Sequence, residues 1–300
     1  MPYLFDKVRR QLVASGQATT PESLREVFGG RIRSCQCGGA PVSPETFTFY
    51  WDHGVPLYPG YGLTEASPVV SVSSPAGVRP DAVGRPIGGI ELQVAEDGEI
   101  LTRGPHVMAG YWNDLSATAE TLVDGWLRTG DLGHLDADGL LCITGRKKEL
   151  IVTTGGKKIA PALVESLLLA DPLIAQVCVV GEGRDYLTAL VVPHVDELRT
   201  AMGLQLPDAE RTNDWLRQPT VLRLYAARLA QCLAGLSRYE QVRRFAILEE
   251  PFAVETGELT LKLSLRRLAI AERHGGLIER LYAPDGLADG RIGEVLPAPS

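Results

Sequence analysis

The sequence lacks the long apolar segments of membrane-spanning and exported chains. No run of about eighteen or more apolar residues occurs, so no transmembrane helix is predicted. The stretch MPYLFDKVRRQLVASG at the N-terminus contains no apolar core followed by small residues, so no secretory signal is predicted. We therefore expect a cytoplasmic protein whose contact with membranes, if any, is peripheral.

Positive charge and cysteine are also scarce. The 30 Lys and Arg residues are outnumbered by 37 Asp and Glu residues, and the net charge of -7 argues against nucleic acid as a partner. Cys142 and Cys178 lie in apolar strand-like runs, where cysteine behaves as a small hydrophobic residue. Cys35-Gln-Cys37 has no second Cys or His pair at matching spacing, so no metal site is predicted there.

The chain does contain enough apolar material for a substantial core. Apolar residues make up 45% of the 300, which predicts one large or two medium domains. Helices are expected over residues 3–27 with a break at 15–16, over 43–53, from 161 to a stop at 171–172, and over 219–236, 265–274 and 277–282. Strands are expected over residues 31–34, 55–58, 90–94, 99–102, 127–135, 140–144, 174–180, 186–192 and 245–248. Tyr111 and Trp112 are expected in the core.

One loop concentrates chemically useful side chains. Pro59-Gly60 ends the predicted strand at 55–58, and Tyr61, Thr64 and Glu65 follow it closely. In an α/β sheet, strand ends are common nucleotide sites. A ring can stack on a base, a hydroxyl can bond a phosphate oxygen, and a carboxylate can hold Mg²⁺. Taken alone, however, these residues fit a polar loop with a helix N-cap at Thr64 equally simply.

A second candidate site lies in the predicted hairpin at 127–144. Asp131 follows a short strand and a glycine, and its carboxylate can accept hydrogen bonds from both hydroxyls of a ribose. Arg146 stands at the end of the partner strand and can bond the ribose or a phosphate. The alternative is that Asp131 is only a turn residue, which is the role expected for Asp136 and Asp138.

Four motifs then carry a family resemblance. YGLTEASP at residues 61–68, GEILTRGPHVMAGYWND at 98–114, GWLRTGDLGHLDADGLLCITGRKKELIVTTGGKKIAP at 125–161 and GELTLKLSLRR at 257–267 appear in that order. They resemble the motifs of the adenylate-forming enzymes, a family of acyl-CoA synthetases, luciferases and peptide-synthetase adenylation domains. Within that family they are most similar to long-chain fatty acid–CoA ligases. Four ordered motifs are far more specific than an isolated glycine pattern.

The resemblance implies an α/β fold. Residues 1–147 would form the C-terminal part of the large adenylate-forming domain, a sheet remnant plus a β-barrel-like subdomain. Residues 148–283 would form a small, mobile α+β C-terminal domain, and residues 284–300, with their Pro, Gly and Asp, a loose tail. The family's hinge residue matches Lys148, and a hinge needs only one or two residues that absorb a large backbone change.

The resemblance also implies roles for individual residues. Asp131 would bind the ribose beside Arg146, Glu65 would hold Mg²⁺, and Thr64 would bind a phosphate. Lys262 would be the catalytic lysine, although the spacing of TLKLS leaves Ser264 as an alternative occupant of that position. The remaining implied positions are the adenine-side residues Gly38, Gly39, Ala40 and Pro41, the loop residues Tyr61 and Gly62, and Gly155 and Gly156 beside the pantetheine tunnel.

The implied activity is an ATP-dependent acyl-CoA ligase that uses a fatty acid, ATP and CoA with Mg²⁺. The family's Ser/Thr/Gly-rich, Lys-ending phosphate loop does not occur, and the nearest string, residues 153–157, lies in the motif after the hinge. We therefore expect a fragment, a degenerate relative, or one half of a split enzyme that needs an N-terminal partner chain. The alternatives are a non-catalytic nucleotide-binding half and an adenylation domain for another carboxylic acid.

Overall fold

The computed structural model describes residues 2–16, 19–39, 42–203, 214–260 and 263–295. The chain divides into two compact units, Met1–Lys148 and Glu149–Ser300, here called the N-terminal and C-terminal units. Among the described residues, no helix is both long and apolar enough to cross a membrane.

Helices open the N-terminal unit at the places where capping residues occur. Thr20 accepts a hydrogen bond from the Ser23 amide at 3.2 Å, and the Ser23 hydroxyl accepts one from the Thr20 amide, which forms a capping box. Ser43 caps the next helix through the Thr46 amide, also at 3.2 Å. The helices are α1 (Pro2–Ala14), α2 (Pro21–Val27) and α3 (Pro44–Asp52). These helices cover a hydrophobic core in which Tyr50 and Leu24 are fully buried.

The first sheet carries the predicted loop at 61–65. Its strands are β1 (Cys35–Cys37), β2 (Leu57–Gly62), β3 (Val69–Val72) and β4 (Arg85–Pro86), in that order, with β1 parallel to β2 and the other pairs antiparallel. The expected strand at 31–34 is displaced to β1. Strand β2 continues through Pro59-Gly60 instead of ending there, because the Pro59 carbonyl still accepts from the Ser73 amide at 2.8 Å.

The second sheet centres on a long strand. Its strands are β5 (Glu91–Val94), β6 (Glu99–Arg103), β7 (Leu122–Val123), β8 (Trp126–Leu135) and β9 (Leu141–Arg146), with α4 (Leu115–Thr121) before β7. Strand β8 pairs antiparallel with β6, β7 and β9. The predicted hairpin turn forms between β8 and β9, where Asp136 Oδ1 accepts from the amides of Asp138 and Leu140 at 2.9 and 2.8 Å.

The C-terminal unit is a sheet with helices on both faces. Its elements are β10 (Ile151–Val152), β11 (Lys158–Ile159), α5 (Pro161–Leu168), β12 (Ile174–Val180), β13 (Leu187–Pro193), α6 (Val195–Ala201), α7 (Pro219–Cys232), β14 (Val242–Ile247), α8 (Arg267–Arg273), α9 (Gly275–Tyr282) and β15 (Ile292–Glu294). The order β12-β13-β14-β15 has a parallel pair only between β13 and β14. Every residue of β13 is buried, as expected for a strand covered on two sides.

Two buried carboxylates tie this unit together. Glu165 on α5 accepts from Arg267 at 2.8 and 2.6 Å and from the Val179 amide at 2.8 Å. Glu258, 2% exposed, accepts from the Thr256 hydroxyl and lies 2.8 Å from His274 Nε2. Both carboxylates are thus paired, as buried charges require.

Two expectations are wrong, one about a core residue and one about the C-terminal segment. Trp112 does not pack in the core, because its side chain is 92% exposed in the turn before α4. Residues 284–300 are not simply a loose tail, since β15 pairs antiparallel with β14 and Ile292 is 2% exposed. Residues 296–300 lie outside the described part of the chain.

Candidate active site

Two of the predicted residues converge on a third, the buried carboxylate of Asp131. The Tyr61 hydroxyl donates to Asp131 Oδ2 at 2.7 Å, and Arg146 Nε lies 2.8 Å from Asp131 Oδ1. The Asp131 side chain is 5% exposed, whereas that of Arg146 is 61% exposed. The carboxylate therefore lies beneath the surface with a phenol on one oxygen and an accessible guanidinium on the other.

The strand register explains why this cluster forms. Asp131 on β8 and Arg146 on β9 are directly opposite each other in the antiparallel ladder, so their side chains share one face. Tyr61 comes from the other sheet, where it pairs with Ser71 on β3. Burial first, and then the charge of Asp131, raise the pKa of Tyr61, so the phenol stays protonated and donates its hydrogen bond at neutral pH.

Two glycines allow the backbone to pack closely beside Tyr61. A Cβ at Gly62 would lie 1.7 Å from the Pro68 carbonyl oxygen, which no side chain can accommodate. A Cβ at Gly38 would lie 2.9 Å from the Gly60 carbonyl oxygen. The end of β1 and the backbone of β2 therefore approach each other closely here. Gly39 has a left-handed φ of +87°, and Ala40 and Pro41 lie outside the described residues.

Thr64 and Glu65 follow Tyr61 in the chain, and the partners of Glu65 differ from those of Asp131. They begin a short 3-10 helix, Thr64–Ala66, whose N-cap is Leu63, so the alternative role of Thr64 as N-cap is wrong. The Tyr111 hydroxyl donates to Glu65 Oε1 at 3.0 Å, and the Met108 amide donates to the Glu65 carbonyl at 2.9 Å. Thr64 is exposed.

The Glu65 carboxylate fits the requirements of a magnesium site that is shared with phosphates. Mg²⁺ is commonly held by one or two carboxylates, several waters and substrate phosphate oxygens. No cluster of three or more His, Cys, Asp and Glu residues occurs in the described part of the chain, so an all-protein metal cage is not formed there. One carboxylate with one hydrogen-bonded oxygen, as found at Glu65, matches the first arrangement.

In the C-terminal unit, the glycine pair lies in a loop that is anchored by two residues shortly before the pair. The Thr154 hydroxyl donates to Asp185 Oδ1 at 2.5 Å, and the Val152 amide donates to Glu182 Oε2 at 2.9 Å. Gly156 has a left-handed φ of +72°, and a Cβ at Gly155 would meet only the Thr153 hydroxyl, at 3.9 Å. The backbone of the glycine pair is therefore open to contact from outside the loop.

The predicted hinge stands at the division between the units. Lys147 is the last residue but one of the N-terminal unit, and its Nζ lies 2.5 Å from Asp97 and 2.9 Å from Glu99. Glu149, the first residue of the C-terminal unit, lies 3.6 Å from Arg267. Lys148 is thus flanked on each side by a residue that is ion-paired within its own unit.

The predicted catalytic lysine, Lys262, lies outside the described residues. Its described neighbours make a narrow loop, in which Leu259 bridges Leu265 and the Thr260 amide donates to the Ser264 carbonyl at 2.9 Å. Leu263 has a left-handed φ of +62°, a conformation that a leucine rarely adopts. The choice between Lys262 and Ser264 for the lysine position stays open.

Sequence reasoning missed several residues that hold these groups. Tyr111 was assigned to the core, although its hydroxyl bonds Glu65. Glu182 and Asp185 are single carboxylates in a turn, and no motif marks them. Glu99 does lie in the motif at 98–114, but its burial, with 4% of the residue exposed, becomes visible only in the folded chain.

Comparison with known proteins identifies the family to which this chain is similar. The model described as AMP-binding enzyme matches residues 1–112, and the model described as AMP-binding enzyme C-terminal domain matches residues 148–285. Long-chain-fatty-acid–CoA ligase FadD15 of Mycobacterium tuberculosis is 40% identical over 261 residues, which are 86% of this chain and 43% of the relative. Long-chain-fatty-acid–CoA ligase ACSBG1 of Mus musculus is 31% identical over 271 residues, 82% of this chain and 37% of the relative. The chain therefore spans less than half the length of these relatives.

Solved structures of similar fold include adenylate-forming enzymes. The A-PCP didomain of carboxylic acid reductase from Segniliparus rugosus, in complex with AMP, has a TM-score of 0.71 at 26% identity over 96% of this chain and 41% of its own. O-succinylbenzoate coenzyme A synthetase from Bacillus subtilis, in complex with ATP and magnesium ion, has a TM-score of 0.61 at 27% identity over 86% and 49%. The expected α/β adenylate-forming fold is confirmed by these neighbours.

Proposed function

Since the chain belongs to the AMP-binding enzyme family, we propose that it supplies the nucleoside-binding and thioester-forming parts of an ATP-dependent long-chain acyl-CoA ligase. The observation that carries this proposal is the convergence of Tyr61 and Arg146 on buried Asp131. An ionised carboxylate can accept several hydrogen bonds at once, and the two ribose hydroxyls are donors of the kind that it accepts. The names of the relatives support a fatty acid as substrate.

The first half-reaction joins the fatty acid to AMP. A carboxylate oxygen of the acid attacks the α-phosphorus of ATP, and pyrophosphate leaves as the acyl-adenylate forms. In our proposal Asp131 and Arg146 hold the ribose, residues 38–41 lie against the adenine, and Thr64 donates to a phosphate oxygen. Mg²⁺ bound at Glu65 would supply positive charge that offsets the phosphates. The Lys262 ammonium would stabilise the charge that develops on the reacting oxygens.

The second half-reaction transfers the acyl group to CoA. The thiolate of CoA attacks the acyl carbonyl carbon and AMP leaves, so that a thioester replaces the mixed anhydride. We assign Lys148 as the hinge about which the C-terminal unit rotates between the two half-reactions. We assign Gly155 and Gly156 as the backbone beside the pantetheine arm of CoA. The ion pairs on either side of Lys148, from Lys147 and from Glu149, support the hinge assignment because they leave one residue between two held segments.

The ribose assignment is tested by nucleotide binding to the full chain. We expect Asp131→Asn to weaken AMP binding by about tenfold or more, because two hydrogen bonds to a charged acceptor are weakened. Asp138→Asn is the matched control: the same substitution, in the same hairpin, on an exposed turn residue. Isothermal titration with AMP measures both. Equal affinity of Asp131→Asn and wild type would refute the assignment.

A second candidate is that this chain acts only together with a separate N-terminal half. The Lys-ending phosphate loop of the family is not among these 300 residues, so this candidate is tested by supplying the N-terminal part separately. Release of pyrophosphate from ATP and palmitate by the isolated chain would favour the autonomous ligase. Nucleotide binding without pyrophosphate release, restored by adding the N-terminal part of a relative, would favour the two-part enzyme.

A further inference from the structure

Strand β8 carries an irregularity at the candidate ribose site. In its pairing with β6, Glu99 is opposite Leu132 and Leu101 is opposite Arg128. One residue of β6, Ile100, therefore faces three residues of β8, 129–131. Gly130, in the middle of the three, has a left-handed φ of +71°. This is a β-bulge, a device that redirects a side chain at the expense of regular strand pairing.

The bulge needs partners for the polar groups that it removes from the ladder. The Thr129 hydroxyl donates to the Ile100 carbonyl at 2.7 Å, and the Asp131 amide donates to the Thr129 hydroxyl at 3.1 Å. The Gly130 amide donates to Glu99 Oε1 at 3.1 Å. The Glu99 carboxylate thus takes the place of a backbone acceptor for the residue directly before Asp131.

The other oxygen of Glu99 contacts one residue of β8 and the residue that directly follows β9. Glu99 Oε2 accepts from Arg128 at 3.0 Å and from Lys147 Nζ at 2.9 Å, and Lys147 directly follows Arg146. The side chain is 5% exposed. Burial acts to raise the pKa of Glu99, but the hydrogen bonds from Lys147, Arg128 and Gly130 outweigh it and lower the pKa below its ordinary value. The carboxylate is therefore charged at neutral pH.

We propose that Glu99 is a positioning residue for the nucleoside site. It holds Gly130 on β8 and Lys147 directly after the end of β9, and each of these is the chain neighbour of one member of the Asp131–Arg146 pair. Glu99 acts through this pair and sets the separation and direction of its two side chains. The inference deepens the proposed function and rests on it for the identity of the ligand.

The first test compares two charge-neutralising variants in the full chain. Glu99→Gln keeps the size of the side chain but leaves Arg128 and Lys147 against a neutral group. We expect it to weaken AMP binding by about five- to tenfold and to raise deuterium uptake in peptides covering residues 126–146. Glu91→Gln is the matched control, since Glu91 on neighbouring β5 has only a surface ion pair, with Arg103 at 2.6 Å. Both readouts should stay at the wild-type level in the control.

The second test separates positioning from general destabilisation. In an Asp131→Asn background, Glu99→Gln should weaken AMP binding by less than about twofold further, because the residue through which it acts is already impaired. A thermal melt of each variant identifies any that fail to fold. If the two substitutions instead reduce affinity independently, so that their fold-changes multiply, the proposed positioning role is wrong.

The two proposals fail in different ways. Absence of AMP binding by the wild-type chain would contradict the proposed nucleoside site. Wild-type deuterium uptake in Glu99→Gln would overturn the role of Glu99, whatever the affinity for AMP. Raised uptake together with reduced affinity, both absent from Glu91→Gln, is the result that supports the inference.

Discussion

Replacement of Glu165 by Gln is expected to destabilise the C-terminal unit by about 3 kcal/mol. Arg267 donates two hydrogen bonds to Glu165, at 2.8 and 2.6 Å, and the Val179 amide donates a third. Removal of one partner of a buried ion pair costs about 3–5 kcal/mol. The lower end applies because Arg267 is 23% exposed and keeps Glu149 at 3.6 Å. With an m-value of about 2 kcal/mol/M, the urea midpoint should fall by about 1.5 M.

Pulse proteolysis at increasing urea, with mapping of the surviving peptides, measures the stability of this unit separately from the other. Glu279→Gln is the control, since its carboxylate is 65% exposed and pairs with Arg184 at the surface. We expect it to change stability by less than about 1 kcal/mol. The double variant Glu165→Leu/Arg267→Met should recover part of this loss, because no unpaired charge remains buried although the Val179 amide loses its acceptor. A midpoint shift in Glu165→Gln no larger than that of the control would refute the reasoning.

Three further predictions concern single positions. Gly62→Ala should lower the melting temperature and weaken AMP binding, since its Cβ would lie 1.7 Å from the Pro68 carbonyl oxygen; unchanged melting would contradict the close approach. Trp112→Ala should alter the free energy of unfolding by less than about 0.5 kcal/mol, because the side chain is 92% exposed; a urea titration measures this. Burial alone would raise the pKa of Glu258. The hydrogen bonds with Thr256 and His274 outweigh burial, so the pKa lies below its ordinary value. Its contribution to stability should therefore be full above about pH 4.3 and be lost as the pH falls through the lowered value, and Glu258→Gln should remove that part of the acid dependence.

The hairpin that carries Asp131 and Arg146 was predictable because its signals are local. Alternating apolar residues flank the turn Asp136-Ala-Asp-Gly139, and that turn determines which residues of the two strands are opposite each other. The pairing of Asp131 with Arg146, however, is shifted by one residue from the register that this turn alone would set, because the ladder is irregular between Leu132 and Gly133. The helix starts at Thr20 and Ser43 were predictable for the same reason, since a cap depends on residues three positions apart.

The errors arise where a residue's environment depends on distant parts of the chain. Trp112 is apolar by type, and nothing local distinguishes a buried indole from the exposed one that the structure shows. Strand β15 is only three residues long, and its place beside β14 depends on a partner almost fifty residues away. The contacts of Tyr61 with Asp131 join two sheets and could be expected only through the family resemblance.

The direct opposition of Asp131 and Arg146 has a consequence for how this protein can vary. In an antiparallel ladder a shift of one residue turns every side chain to the opposite face, so even one deletion within β8 or β9 would separate the pair. The turn between these strands is under no such constraint, because inserted residues can extend outward while the ladder below keeps its alignment. Related proteins should therefore differ in the length of this turn and agree in the number of residues that separate each half of the pair from it.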